Sequence, residues 1–177
     1  SVLIISKYAF RLCKYLSIFE IPENSQLQSI ESCAFSYSKI TRLFIPKTAN
    51  LQKCSFNFMS HLEKIDISPL NANYIFKDDK YLLGKTDPKS DNFDILFTAT
   101  NNLQEVHIPS NVKIISICAF NGNQKLKTVE IPEDSQLQVI EENAFSNTSI
   151  EQIYIPRHVR RICSNAFFFL YKIKRNY

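Results

Sequence analysis

The chain has 177 residues, enough for one domain with a real core, and 45% of them are hydrophobic, an ordinary share. It holds 14 Phe and 8 Tyr but no Trp and only 2 Gly, which excludes architectures that need a glycine at every tight corner. Its net charge of +4 comes from 21 basic and 17 acidic residues and does not by itself call for nucleic acid, and no stretch approaches the ~18–20 apolar residues of a membrane-spanning helix.

Two frames alternate from the first residues onward. Val2 and Ile5 open an apolar–x–x–Ile–x–x–x–Ala–Phe frame that ends at Ala9-Phe10. Leu16, Phe19 and Ile21 then form an apolar–x–x–apolar–x–apolar frame closed by Pro22. The second coil repeats both, with Leu27, Ile30 and Ala34-Phe35, then Ile40, Leu43, Ile45 and Pro46. In the third the Ala-Phe frame is degraded to Thr48, Leu51 and Ser55-Phe56, and Leu62, Ile65 and Ile67 follow without the proline.

The period then breaks. The apolar-Pro anchors are spaced 24, 22, 41, 23 and 24 residues apart, and the step of 41 separates Ile67 from Ile108. Tyr81-Leu82-Leu83 and Asp94-Ile95-Leu96-Phe97 read as short strands, with a turn over Asp87–Asn92 between them. This predicts a β-hairpin that bulges from, or replaces, one coil. Gly84-Lys85-Thr86 is not a phosphate loop, because Asp79 stands where that motif needs its first glycine.

Regular coils resume with Leu103, Val106 and Ile108, then Val112, Ile115 and Ala119-Phe120. Leu126, Val129, Ile131, Leu137, Ile140 and Ala144-Phe145 make the next coil, and Ile150, Ile153, Ile155, Val159, Ile162 and Ala166-Phe167 the last. Glu133–Pro156 matches Glu23–Pro46 at 13 of 24 positions. One unit of this size cannot bury its own apolar edge, whereas stacked units can, so each coil must fit the next. The apolar alternation before each proline predicts a short strand with one buried face, pairing in parallel with its neighbours into one sheet. The proline ends that strand. The Ala-Phe frame brings the chain back, with a turn of helix or 3₁₀ around it and the phenylalanines in a continuous column.

The recurring LxxIxIPxxLxxIxxxAF pattern resembles the BspA-type (treponeme-type) leucine-rich repeat over nearly the whole chain. The resemblance implies an α/β solenoid: a right-handed leucine-rich superhelix with short parallel strands on the concave face and an irregular β-hairpin unit in the middle. Within one domain, residues 1–67 and 103–177 are the regular repeats and 68–102 the irregular unit. Such units in the family carry an Asn-x-x-Tyr, an Asp and a Leu-Leu pair, and Asn71, Tyr74, Asp79 and Leu82-Leu83 are similar. The frame already running at Val2 reads as the interior of a longer protein. The family occurs in surface proteins of host-associated bacteria and protozoan parasites, so the resemblance implies a cell-surface location and adhesion.

No residue set reads as catalytic, cofactor-binding or metal-binding. The five cysteines cannot all pair and form no CxxC. Cys33, Cys54 and Cys118 each precede the Ala-Phe position by one, which predicts a ladder of small buried side chains. His107 falls on the exposed side of its strand, with Asp66 and Glu130 as expected row neighbours. Arg157, Arg160, Arg161, Lys172, Lys174 and Arg175 crowd the C-terminal end without a nucleic-acid module around them, so a solvated face is the reading. The sequon Asn147-Thr148-Ser149 follows an Ala-Phe turn and is expected on the outer side.

The functional signal lies in the outward strand positions. One row reads Glu20, Phe44, Asp66, His107, Glu130 and Tyr154, extended to Lys174 if a seventh strand forms. Beside it run Ile18, Arg42, Lys64, Glu105, Thr128 and Gln152, extended to Lys172. Phe44 and Tyr154 are aromatics without a core duty, and aromatics among charges suit a surface that binds a protein or glycan. The candidate face is Glu20, Arg42, Phe44, Lys64, Asp66, Glu105, His107, Glu130, Gln152 and Tyr154. The alternatives are an intracellular leucine-rich scaffold, which five unpaired cysteines would suit, and a solenoid hydrolase, whose carboxylates would have to cluster more closely than Glu20, Asp66 and Glu130 do.

Overall fold

The computed structural model describes residues 2–170. Its strands in chain order are β1 (Ile4–Ile5), β2 (Ser29–Ile30), β3 (Arg42–Ile45), β4 (Asn50–Leu51), β5 (Lys64–Ile67), β6 (Tyr74–Lys77), β7 (Tyr81–Gly84), β8 (Ile95–Ala99), β9 (Glu105–His107), β10 (Ile114–Ile115), β11 (Thr128–Glu130), β12 (Val139–Ile140), β13 (Gln152–Ile153) and β14 (Arg161–Ile162). The apolar-Pro frame does form parallel strands, in two groups, β3-β5 and β13-β11-β9. The Ala-Phe frame also forms strands, which the sequence reading did not anticipate: β1-β2-β4, and a six-stranded sheet β14-β12-β10-β8-β7-β6. A single sheet is therefore replaced by four, on two sides of the solenoid.

No helix is found among the described residues, which corrects the α/β expectation. The reason lies in the turns. The residue before each Ala-Phe position has positive φ (Tyr8, Cys33, Cys54, Cys118, Asn143, Asn165), and so does the residue four further on (Leu12, Tyr37, Phe58, Gly122, Asn147, Phe169). Two left-handed residues four apart leave no room for a helical run. Gly122 shows how tightly these turns stack, since a Cβ there would lie 2.7 Å from the Phe58 ring. The alanines let successive coils touch: Phe10, Phe120 and Phe145 each donate a backbone N–H to the next coil's alanine carbonyl (Ala34, Ala144 and Ala166) at 2.8 Å.

The phenylalanine column exists in two segments. Phe10 stacks on Phe35 at 5.4 Å, and Phe120, Phe145 and Phe167 stack at 4.9 and 5.3 Å. The core is divided in the same way. One cluster holds the first three coils with Tyr74, Leu82 and Phe97; the other holds the last three with Tyr81, Leu83, Leu96 and Ala99. The irregular unit is the partition. β7 pairs antiparallel with β8, as expected, and β6 adds a third antiparallel strand. Successive side chains of β7 point to opposite faces, so Leu82 enters one core while Tyr81 and Leu83 enter the other, and all four of its residues are buried. The unit is a wall within the stack, not a bulge. β8 then restores the parallel register, with Ile95 and Leu96 opposite Ile114 and Ile115.

Inserting this wall leaves the edges of β4, β5 and β9 unpaired, and those of β4 and β9 each meet a tyrosine hydroxyl. Tyr74 Oη accepts the Leu51 N–H at 3.0 Å, at the end of β4. Tyr81 Oη accepts the His107 N–H and donates to the His107 carbonyl, both at 3.1 Å, at the edge of β9. Burial raises both phenols above the ordinary tyrosine range, against the backbone bonds, which lower them. Asp94 anchors the hairpin end: its carboxylate accepts from the Thr86 N–H at 2.8 Å, Thr86 Oγ1 at 2.7 Å and Lys113 Nζ at 3.1 Å. Burial alone would raise this carboxyl, but the Thr86 bonds and the Lys113 charge together hold it below the usual range.

Candidate functional site

The outward rows fall where the frames place them. Arg42 stands opposite Lys64 and Phe44 opposite Asp66; Glu105, Thr128 and Gln152 align, as do His107 and Glu130. Buried Leu43, Ile65, Val106 and Val129 alternate with these positions and pin the strands to the core. The face is divided, because Tyr81 takes the edge of β9 that β5 would otherwise have used. His107 therefore has Glu130 as a neighbour, at 2.7 Å, but not Asp66, which pairs with Arg42 and lies 3.8 Å from Lys64.

The N-terminal patch is built on β3, β5 and the segment that ends at Pro22. A groove of about 560 Å³ is lined by Ile18, Phe19, Glu20, Arg42, Phe44 and Asp66, with Ser17, Ile21, Pro22 and Thr41 around them. Phe44 is half-buried, its ring forming part of this wall, while Arg42 is exposed above it. The Arg42 guanidinium is pushed further up by its hydrogen bond to Asp66 and by that carboxylate's charge, so it stays a cation. The groove brings together four of the ten expected residues, Glu20, Arg42, Phe44 and Asp66, with Lys64 beside them. Its polar rim, Ser17 and Thr41, went unseen because neither belongs to an outward row.

The C-terminal patch is built on β9, β11 and β13, with the residue that follows β13, Tyr154. Glu105, His107 and Glu130 are all exposed and bring three ligand-type atoms within 4.8 Å of one another, with His107 Nδ1 2.7 Å from Glu130 and Nε2 3.8 Å from Glu105. Gln152 and Tyr154 are exposed, Tyr154 to 63%. Of the basic cluster, Arg157, Arg160 and Arg161 are exposed, while Lys172, Lys174 and Arg175 lie outside the described residues.

Two expectations on the turns change. Cys118 is buried but Cys33 and Cys54 are only half-buried, so the cysteines are not a uniformly buried ladder. The sequon is taken up by packing: Asn147 Nδ2 donates to Asn121 Oδ1 at 3.1 Å, Asn121 Nδ2 donates to Asn57 Oδ1 at 2.9 Å, and Thr148 is fully buried. This asparagine ladder was not foreseen, although left-handed turns favour asparagine.

The chain belongs to the BspA-type leucine-rich repeat family, whose model matches six copies over residues 1–79 and 94–176. Among solved structures it is similar to a leucine-rich cell surface protein from Faecalibacterium prausnitzii A2-165, with a TM-score of 0.72 and 22% identity, over 96% of this chain and 49% of that one. It is also similar to the pneumococcal vaccine antigen PcpA, with a TM-score of 0.72 and 21% identity over 93% and 47%. A leucine-rich repeat protein from Eubacterium ventriosum aligns with a TM-score of 0.57 and 19% identity over 92% and 66%. The first two likenesses thus span about half of those longer chains. No curated protein sequence matches this chain.

Proposed function

We propose that this chain is a non-catalytic binding module of a cell-surface protein, and that it recognises a protein or glycan through its exposed strand face. The groove carries the reading. It sets the apolar surface of Ile18 and Phe44 beside an anionic Glu20 and the Arg42–Asp66 pair, the mixture of aromatic anchor and charged rim that recognition surfaces use. The surface location is supported by the family and by two structural relatives named as a cell surface protein and a vaccine antigen.

The test has two parts. A protease-cleavable tag placed between Asp87 and Asp91, in the exposed loop, should be lost from intact source cells; protection until the cells are opened would move the protein inside. The folded chain is then screened against extracellular-matrix proteins and a glycan array. Phe44→Asp combined with Arg42→Glu should weaken the strongest interaction by at least about tenfold, while Lys89→Glu, in the exposed loop outside that face, should not. Equal binding by the groove variant and the wild type would remove the groove from the reading.

A further inference from the structure

We propose that Cys54 and Cys118 are a built disulfide site, a covalent staple between the two halves of the solenoid. The residues are 64 positions apart in sequence, yet the Cys54 Sγ–H donates to Cys118 Sγ at 2.7 Å, within about 0.7 Å of an S–S bond length. The turns that carry them are stacked directly. Lys53 reaches Glu141 at 2.7 Å, Asn57 accepts from Asn121 at 2.9 Å, and the Phe58 ring covers Gly122. This corner is where the outer turns of the first and second halves touch, whereas elsewhere the β6-β7-β8 wall stands between the cores.

The residue choice is informative. Cys54 and Cys118 have φ of 64° and 59°, a conformation that asparagine tolerates far better. The last two coils place Asn143 and Asn165 at this position. Tyr8 and Cys33 hold the same backbone position in the first two coils, and what sets Cys54 and Cys118 apart is that their sulfurs meet. Cys118 is held below the ordinary thiol range chiefly by the bond from Cys54, with Asn121 acting the same way against burial, and Cys54 is pushed up as the donor of that bond.

The chemistry balances with a low-molecular-weight disulfide such as oxidised glutathione as oxidant. One of the two, as thiolate, attacks a sulfur of the small disulfide, forming a mixed disulfide and expelling one small thiol. The other then attacks the protein sulfur of that mixed disulfide and expels the second. Two protein S–H bonds are lost, one S–S bond forms, and the oxidant is reduced to two thiols.

The experiment uses the wild-type chain, so it does not depend on a variant folding. After incubation with oxidised glutathione, thiols titrated in denaturant should fall from the five present to three. Non-reducing peptide mass mapping should join the Cys54 peptide to the Cys118 peptide. The oxidised form should melt on the order of 10 °C above the reduced one, as a loop of this length predicts, and Cys33→Ser should leave the cross-link in place. Five thiols remaining, glutathione adducts without a cross-link, or a Cys33–Cys54 link in its place would each overturn the proposal.

Discussion

The regular coils and the wall that interrupts them solve the same problem with different chemistry. A regular coil buries its edge by giving the next coil a copy of itself: Phe145 lies between Phe120 and Phe167, and each backbone bond has a counterpart one coil away. The β6-β7-β8 wall has no copy on either side. It must cover two different cores and close two sheet edges with single side chains, Tyr74 and Tyr81, and with the Asp94 anchor. Repetition distributes stability over many equivalent contacts, whereas the wall's contacts, apolar and polar alike, are each made once.

The sharpest way to break that contrast is at the column. Phe145→Ala should cost about 3–5 kcal/mol, because the ring is fully buried and stacked on both faces. Urea denaturation monitored by tyrosine fluorescence would measure it. A loss under about 1 kcal/mol would mean that the coils do not rely on the aromatic stack.

How far this division was legible follows from the kind of signal each part carries. Phe35, Phe120 and Phe145 recur at a fixed place in a fixed frame, so spacing alone put them in the core, and the outward positions Arg42, Phe44, Glu105 and Glu130 followed from the same alternation. The β7-β8 hairpin was legible because its strands and turn are local. The second set of strands was missed because its segments are mostly two residues long, too short for periodicity to mark. Helix was expected around Ala-Phe because nothing in a Cys-Ala-Phe or Asn-Ala-Phe triplet announces a left-handed residue, although asparagine at 143, 147 and 165 was a hint. The tyrosine caps and the Cys54–Cys118 contact depend on which coils become neighbours across the wall, and a break in period conceals that.

The wall's own weak point under acid is Asp94. Its folded pKa lies below that of the unfolded chain, so the stability it contributes is complete above the unfolded value of about 4 and is lost as pH falls through the folded one. Asp94→Asn should cost about 1.5–3 kcal/mol at neutral pH, since three donors aim at a buried carboxylate. It should also flatten the acid limb of a stability–pH curve measured by chemical denaturation. An unchanged acid limb would show that another carboxylate sets it.

The two tyrosine caps give the finest comparison, because the same atom performs unequal work. Tyr81→Phe strands both the N–H and the carbonyl of His107, whereas Tyr74→Phe strands only the Leu51 N–H. The expected costs are about 1–3 kcal/mol for Tyr81→Phe and roughly half of that for Tyr74→Phe, since each stranded buried group brings its own desolvation penalty. Both phenols have folded pKa values raised by burial. Their contribution is therefore complete below the unfolded value of about 10 and lost as pH rises above it. Removing both hydroxyls should weaken the alkaline fall in stability along with the neutral-pH stability. Amide hydrogen exchange localises the effect: Tyr81→Phe should speed exchange at His107 while leaving Leu51 protected, and Tyr74→Phe should do the reverse. Equal exchange at both sites in both variants would mean that the wall opens as one unit, and that the hydroxyls close the edges jointly instead of one each.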